Sequence, residues 1–253
     1  NCSKDIICFH DAEVTLPQPE RTSMRDRRDS NRQRLNSRLL EDGKSKPTYI
    51  KQGSYAMLTM VQDANNDYDI DDGVYFTEDQ IDGKSPKGIR DYICEKLGDD
   101  RFNKQPKSKK SCVRIFYNEG YHVDMPIYRI RKSDGEYELA AGDNWVVSRA
   151  ADVEEWFSDT NQAMSPDENN GRQFRRIVRM LKKFARSRIA WKSEIASGFT
   201  ITALAAEKYT SDLEREDASL RSTMQKIHAR LCWNLEVAHP VTLGAMLTSG
   251  PQD

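Results

Sequence analysis

Asp69 and Asp71, separated by one residue, are the residues of this sequence best suited to chemistry. They lie just before an apolar run at residues 74–76, and side chains two positions apart in a strand project from the same face. Two carboxylates held side by side repel each other unless a cation lies between them, and a hard divalent ion such as Mg²⁺ takes oxygen ligands. The pair therefore predicts a divalent metal site on one face of a strand.

An Asp-x-Asp pair taken alone is more typical of a solvated strand face or a turn. Two further features favour the metal site here: Asp124 lies in a later apolar strand pattern, and Gly53 with Ser54 forms a small-residue turn that can approach a phosphate closely. If the strand of Asp124 neighbours that of Asp69 and Asp71, three carboxylates converge and hold two Mg²⁺ ions, with Mn²⁺ as an alternative. Metal carboxylates beside a phosphate-holding turn predict nucleotidyl transfer.

Two positions near the aspartates predict irregular strands. Strict alternation would bury Asp72, so we expect a bulge at Asp72 and Gly73. Pro126 has no backbone N–H to donate to the neighbouring strand close to Asp124, which is typical of an edge strand or an irregular stretch of a sheet.

A basic helix further along the chain supplies candidates for phosphate binding. Apolar residues repeat at helical spacing over residues 174–185, and the basic residues lie off that stripe. A solvated face is the default explanation for such residues, but Lys182 or Lys183 could reach a triphosphate. Ser197, at the start of the next predicted helix, offers a hydroxyl and free amides of the kind that bind anions.

Residues 48–150 have the pattern of a sheet that one helix interrupts. The predicted strands cover residues 74–76, 112–117, 121–130 and 136–140, and the helix covers residues 87–97. The turn at residues 118–120 predicts an antiparallel hairpin. This order of elements predicts an α+β lobe.

Helices are predicted on both sides of that lobe. Residues 21–40 form an arginine-rich helix, and helices dominate from residue 151 onward. Capping signals at residues 165–168 and 211–214 predict two helix starts, and another helix covers residues 199–209. We therefore divide the chain into an N-terminal segment with a long bracing helix (1–47), a catalytic lobe (48–150) and a helical lobe (151–253).

Composition limits the classes of protein to consider. Lys and Arg total 39 against 40 Asp and Glu, which argues against a surface built as a whole to hold nucleic acid. The five cysteines form no CxxC pair, and no apolar stretch is long enough to span a bilayer. We expect a soluble, cytoplasmic protein without a membrane partner.

Three motifs together resemble a known family. They are GSYAM at residues 53–57, DYDIDDGVYF at residues 67–76 and HVDMPIY at residues 122–128, and they resemble the bacterial cGAS/DncV-like nucleotidyltransferases (CD-NTases) of CBASS anti-phage systems. Residues 176–183, followed by Ser197, are similar to the family's phosphate-contacting helix and serine. The resemblance spans roughly residues 48–210.

The resemblance implies a polymerase-β-like nucleotidyltransferase sheet lobe packed against a helical lobe, with the active site in the cleft between them. It implies Asp69, Asp71 and Asp124 as the metal triad, and Ser54, Ser197 and one of Lys182 or Lys183 as phosphate ligands. Members of the family continue into further helices after the region that residues 238–241 resemble. We therefore expect either a missing C-terminal segment or a shortened chain.

The activity expected from these residues and this resemblance is Mg²⁺-dependent synthesis of a cyclic di- or trinucleotide from nucleoside triphosphates such as ATP and GTP. The enzyme is expected to be a monomer without a nucleic-acid activator, and its product, not the protein, would act on a CBASS effector. The alternatives are a nucleotidyltransferase that modifies RNA or protein, and a non-catalytic nucleotide-binding domain. The sequence leaves open the bases, the linkage and the ring size.

Overall fold

A computed structural model of the chain describes residues 1–63, 66, 68–191 and 194–248. Asp67 of the family-like motif lies outside the described residues. Packing separates a sheet unit, Pro17–Tyr55 with Asp63–Ala151, from a helical unit, Asn1–Leu16 with Ala56–Gln62 and Asp152–Asp253. The short segment Ala56–Gln62 thus packs with the helices. The functional domain boundaries and the cleft expected from the sequence stay predictions.

The α-helices follow one another along the chain as α1 (Ser3–Phe9), α2 (Gln18–Glu41), α3 (Gly53–Ala56), α4 (Glu78–Ile81), α5 (Pro86–Leu97), α6 (Asp152–Met164), α7 (Gln173–Ala185), α8 (Gly198–Lys208) and α9 (Glu216–Leu231). A π-helical turn, His10–Val14, follows α1, and 3₁₀ turns cover Asn169–Gly171 and Ile189–Trp191. None of the helices within the described residues has the length and apolar character that a bilayer crossing requires.

The strands of the sheet unit are β1 (Thr48–Gln52), β2 (Asp69–Thr77), β3 (Lys107–Ser108), β4 (Val113–Phe116), β5 (His122–Met125), β6 (Ile127–Ile130), β7 (Tyr137–Ala141) and β8 (Asn144–Val147). All belong to one mixed sheet in which β2 pairs with β1, β5 and β6. The predicted antiparallel hairpin is confirmed, because β4 and β5 pair in that sense. The mixed sheet and its helices confirm the predicted α+β fold class.

β5 and β6 are two halves of one strand that Pro126 interrupts. Both halves run parallel to β2 in the same register, with Asp69 opposite His122 and Val74 opposite Ile127. Pro126 has no N–H to donate, but its carbonyl accepts from the backbone N of Val74 at 2.9 Å. The irregularity predicted at this proline is therefore a break in the ladder, after which the pairing resumes.

The bulge predicted at Asp72 and Gly73 is wrong. The antiparallel register of β1 and β2 continues without interruption, with Lys51 opposite Asp72 and Ile50 opposite Gly73. Alternation does bury Asp72, which is fully inaccessible to solvent. The strand tolerates this because Arg32 of α2 donates two hydrogen bonds to the carboxylate, one from Nε to Oδ2 at 2.7 Å and one from Nη2 to Oδ1.

Helices α6, α7 and α8 build a core of the helical unit, against which α9 packs. The buried cluster consists of Met57, Val153, Phe157, Phe174, Ile177, Val178, Leu181 and Ala205. The spacing of residues 174–185 predicted the buried stripe of α7 correctly except at Phe184, which is exposed.

Two predicted helix starts are wrong by several residues. Helix α7 begins at Gln173 with Arg172 as its N-cap, and the hydroxyl of Ser165 accepts from the backbone N of Phe174 at 3.0 Å across an intervening loop. Helix α9 begins at Glu216, and Asp212 caps the turn before it by accepting from the backbone N of Arg215 at 2.9 Å. In both places the predicted capping residues lie in a loop, and the helix begins several residues later.

Candidate active site

The parallel pairing of β2 and β5 gathers the acidic side chains Asp69, Asp71 and Asp124 on one sheet face, which we call the acidic face. Asp69 lies opposite His122, and Asp71 lies opposite Asp124. Residues two positions apart share a face, so the four side chains project together. Ligand atoms of Asp69, His122 and Asp124 all lie within 4.8 Å of one another. Asp71 is not part of this group, so the structure brings two of the three predicted aspartates together with His122, and the catalytic and metal-binding roles of the aspartates stay predictions.

Gly53 lies directly under the carboxylate of Asp71. Its φ of +63° is in the left-handed region, and a Cβ at this position would stand 2.1 Å from Oδ2 of Asp71. Only glycine both adopts this conformation without strain and leaves room for the carboxylate. The turn that Gly53 shares with Ser54 thus brings its backbone to the acidic face.

The acidic face carries more negative charge than its surroundings compensate. Burial, together with the charges of Asp69 and Asp124, raises the pKa of Asp71 to about 7, and Arg114 opposes this rise. Burial disfavours the charged form of Asp71, and the neighbouring carboxylates add repulsion. The donor set of Asp69, Asp124 and His122 fits a divalent cation, because bound positive charge would relieve that repulsion.

Arg114 compensates part of the charge. It lies opposite Asp124 in the antiparallel β4–β5 pair and donates from Nε to Oδ1 at 2.7 Å and from Nη2 to Oδ2 at 2.6 Å. The hydrogen bond to Asp124 is also the main reason that the pKa of Arg114 is raised. Arg114 thus holds the orientation of the third carboxylate from the neighbouring strand.

Buried polar contacts brace β2 beside the site. Gln52 of β1 lies opposite Asp71, and its amide donates to the hydroxyl of Tyr75 at 2.6 Å and accepts from that of Tyr128 at 3.1 Å. The two tyrosine rings stack with their centroids 4.4 Å apart. A fully satisfied network of this kind resists shifts of the strand that carries the aspartates.

Within the helical unit, the structure distinguishes the two candidate lysines. Nζ of Lys182 donates to Oγ1 of Thr59 at 2.8 Å, and a Cβ added at Gly198 would stand 3.7 Å from the same nitrogen. Gly198 is the first residue of α8. Lys183 points elsewhere, since its Nζ donates to the carbonyl of Gln62 at 2.9 Å. Lys182 is therefore the lysine beside the N-terminus of α8.

Ser197 is the N-cap of α8, as its position in the sequence suggested. Its hydroxyl oxygen accepts from the backbone N of Thr200 at 3.1 Å. The solvated face expected by default for the basic side of α7 is wrong, because Arg176, Arg179 and Lys182 are all buried. Each is satisfied within the helical unit, for example Arg179 by donating twice to the carbonyl of Leu58.

Sequence reasoning missed several residues that shape the site. His122 was not among the predicted ligands, although it shares its strand face with Asp124 and the alternation of the strand was a signal for it. The alternation of β4 and the register of the hairpin would likewise have placed Arg114 beside Asp124. The partnership of Arg32 with Asp72 had no comparable signal, since it joins a helix and a strand 40 positions apart.

We expect Asp71→Asn to stabilise the protein in the presence of a chelator at pH 8. The pKa of Asp71 is raised above its ordinary value. The stability that the folded protein gains from holding Asp71 protonated is therefore complete below about pH 4 and is lost as the pH rises through 7. Asparagine cannot ionise, so at pH 8 the variant should gain about 2 kcal/mol, or roughly 5 °C in melting temperature. Melting curves from pH 5 to 8 measure this. The exposed Asp79→Asn is the control, and an equal pH profile for Asp71→Asn and wild type would contradict the prediction.

The mixed sheet carries three carboxylates on two adjacent parallel strands, with a glycine turn against one of them. Residues 47–128, which contain all three aspartates, match the family model described as the nucleotidyltransferase domain of cyclic GMP-AMP synthase DncV-like proteins. This part of the chain is a DncV-like nucleotidyltransferase domain, and the family resemblance inferred from the three motifs is confirmed.

Solved structures show that the likeness extends beyond the matched segment. A double mutant of the Vibrio cholerae di-nucleotide cyclase DncV is 15% identical with a TM-score of 0.79, over 99% of this chain and 84% of that one. DncV in complex with a linear intermediate is 17% identical with a TM-score of 0.72, over 95% and 81%. The Escherichia coli MS115-1 CdnC structure with ATP is 20% identical with a TM-score of 0.64, over 90% and 71%. The chain therefore has the fold of these proteins.

Proposed function

We propose that this protein is a divalent-metal-dependent enzyme that joins nucleoside triphosphates, ATP or GTP among them, into a cyclic di- or trinucleotide. The observation that carries the proposal is the gathering of Asp69, Asp71 and Asp124 on one face of paired strands, with Gly53 against them. The relatives support the choice of substrate, because DncV is named a cyclic AMP-GMP synthase and has been solved with GTP and with a linear intermediate.

The reaction joins two nucleotides in each step. A ribose hydroxyl oxygen of one nucleotide attacks the α-phosphorus of the other, its proton is lost, and the bond between the α- and β-phosphates breaks to release pyrophosphate. A second step of the same kind closes a dinucleotide ring, and one further addition precedes closure for a trinucleotide. In a CBASS setting, the product would serve as a second messenger for an effector.

The acidic residues of the sheet unit would hold the metal. Asp69, Asp71 and Asp124 are its proposed carboxylate ligands, and Mg²⁺ or Mn²⁺ bound there would increase the acidity of the attacking hydroxyl and neutralise charge on the leaving pyrophosphate. Arg114 would keep Asp124 oriented, and the rigid strands would hold the carboxylates in fixed positions. The backbone at Gly53 and the hydroxyl of Ser54 would contact phosphate oxygens.

We assign the phosphate-binding lysine as Lys182, because its ammonium group lies beside the first residue of α8 and near Ser197. The variant Lys182→Met loses a charge-assisted hydrogen bond to phosphate, and this loss should weaken ATP binding about tenfold. Lys183→Met removes an equal charge one residue away and should change the affinity less than about threefold. Equilibrium binding of a fluorescent ATP analogue compares them, with melting curves as the check on folding. Equal losses for the two variants would contradict the assignment.

Incubation with α-³²P-labelled nucleoside triphosphates tests the function. We expect release of pyrophosphate and a small labelled product that resists phosphatase, because a ring has no terminal phosphate. Label that moves to a macromolecule would favour the alternative transferase. Tight nucleotide binding without release of pyrophosphate would favour a non-catalytic domain. Mass spectrometry of the product from an equimolar mixture of nucleotides identifies the bases and the ring size.

A further inference from the structure

His122 brings a nitrogen donor to the acidic face. It begins β5 directly opposite Asp69, and it shares its strand face with Asp124 two residues later. A ring nitrogen of His122 and carboxylate oxygens of Asp69 and Asp124 lie within 4.8 Å of one another. An ion held by these two carboxylates therefore has an imidazole within reach.

The imidazole of His122 is not engaged elsewhere in the part of the chain that the structure describes. Its ring is half-buried, and among the described residues no hydrogen bond or ion pair involves it. The buried His10 shows the contrast, because Nδ1 of its ring contacts Asp11 at 2.7 Å and Nε2 contacts Thr15 at 3.3 Å. The backbone of His122 is nevertheless fixed in the sheet and donates to the carbonyl of Tyr68 at 3.0 Å. A rigid strand thus presents an unused imidazole to two carboxylates.

We propose that His122 is a ligand of the ion held by Asp69 and Asp124, and that this nitrogen makes the site prefer Mn²⁺ over Mg²⁺. The inference rests on the proposed function, which assigns a divalent ion to these carboxylates. It adds a fourth protein ligand and a selectivity to the aspartate triad.

The selectivity follows from the chemistry of the donors. Mg²⁺ is a hard ion that keeps oxygen ligands and several of its waters. Neutral imidazole binds first-row transition ions, of which Mn²⁺ is the weakest binder, but it binds Mg²⁺ more weakly still. Three oxygen donors alone give Mn²⁺ little advantage over Mg²⁺, so the nitrogen decides the preference.

Arg114 increases the importance of this nitrogen. It donates to both oxygens of Asp124, and an incoming ion must share that carboxylate with the guanidinium or displace it. Across the described residues, neither the carboxylate of Asp69 nor the imidazole of His122 has such a partner. Asp69 and His122 are therefore the donors that an ion meets with the least competition.

Pulsed EPR of Mn²⁺ bound to the full chain, without nucleotide, tests the proposal. We expect ¹⁴N coupling from a directly bound imidazole in the wild type and its loss in His122→Gln, whose amide offers an oxygen instead. The Kd for Mn²⁺ should rise about tenfold in this variant, while the Kd for Mg²⁺, measured by competition, should change less than about twofold. His228→Gln, at an exposed position of α9, is the matched control and should behave as the wild type.

The outcomes separate this inference from the proposed function. Mn²⁺ bound without ¹⁴N coupling in the wild type, or coupling that persists in His122→Gln, overturns the ligand role of His122 and leaves the aspartate site standing. Failure of the wild type to bind Mn²⁺ at millimolar concentration overturns both the ligand role of His122 and the metal site of the proposed function. If His122→Gln fails to fold, ¹⁵N-histidine labelling of the wild type decides, since replacement of the ¹⁴N pattern by a ¹⁵N doublet supports histidine ligation and an unchanged spectrum overturns it.

Discussion

Replacing Asp69 and Asp71 together by asparagine should lower the rate of nucleotide joining about a thousandfold or more while leaving the fold intact. The amides are nearly the same size as the carboxylates but carry no charge, so they cannot hold a divalent ion against the negative triphosphate. The fold should survive because the substitutions remove a buried charge and the repulsion beside it, which together raise the pKa of Asp71. Pyrophosphate release and chromatography of labelled product measure the loss.

The control for this experiment changes two other carboxylates of the same unit. Asp79 and Asp82 are exposed, so Asp79→Asn with Asp82→Asn removes the same net charge away from the acidic face. This control should keep nearly full activity. Substantial cyclic product from the variant at positions 69 and 71 would reject the proposed active site.

Arg32→Met should destabilise the protein by about 3–5 kcal/mol, because it leaves the carboxylate of Asp72 buried without its cation. Asp72 is inaccessible to solvent, and burial raises its pKa although the hydrogen bond from Arg32 opposes the rise. The ion pair as a whole therefore contributes little net stability, but the loss of one partner exposes the full cost of the buried charge. Denaturant unfolding followed by circular dichroism measures the change.

Two further variants test this interpretation. Arg25→Met, in the same helix but with an exposed side chain, should cost less than about 0.5 kcal/mol. Adding Asp72→Leu to Arg32→Met should recover much of the loss, because an apolar pair can replace a buried ion pair. A loss below about 1 kcal/mol for Arg32→Met alone would show that Asp72 is solvated or protonated in the folded protein.

The placement of the aspartates on strands could be predicted from the sequence because it depends on local geometry. The period of two in a strand placed Asp69 and Asp71 on one face, and the hairpin pattern placed Asp124 on a strand of its own. Helices α2 and α5 were predicted nearly to their ends because propensity, proline position and apolar spacing agree there. Each of these properties is encoded within about ten neighbouring residues.

Contacts between distant segments were decided by the tertiary structure. Strand order made β2 and β5 neighbours, and their register set His122 against Asp69. Docking of α2 supplied Arg32, so that Asp72 could be buried without the expected bulge. Packing of α7 against residues 56–62 separated Lys182 from Lys183, whose types and sequence neighbourhood are nearly the same.

By itself, then, the sequence determined that Asp69 and Asp71 share one strand face, because alternation is a property of the strand alone. The tertiary structure determined which charges those side chains meet, since Arg114, Arg32 and His122 reach their partners only through pairing and packing. Electrostatic interactions depend on distance in space rather than on separation along the chain, so the partners of the aspartates emerge only in the folded protein.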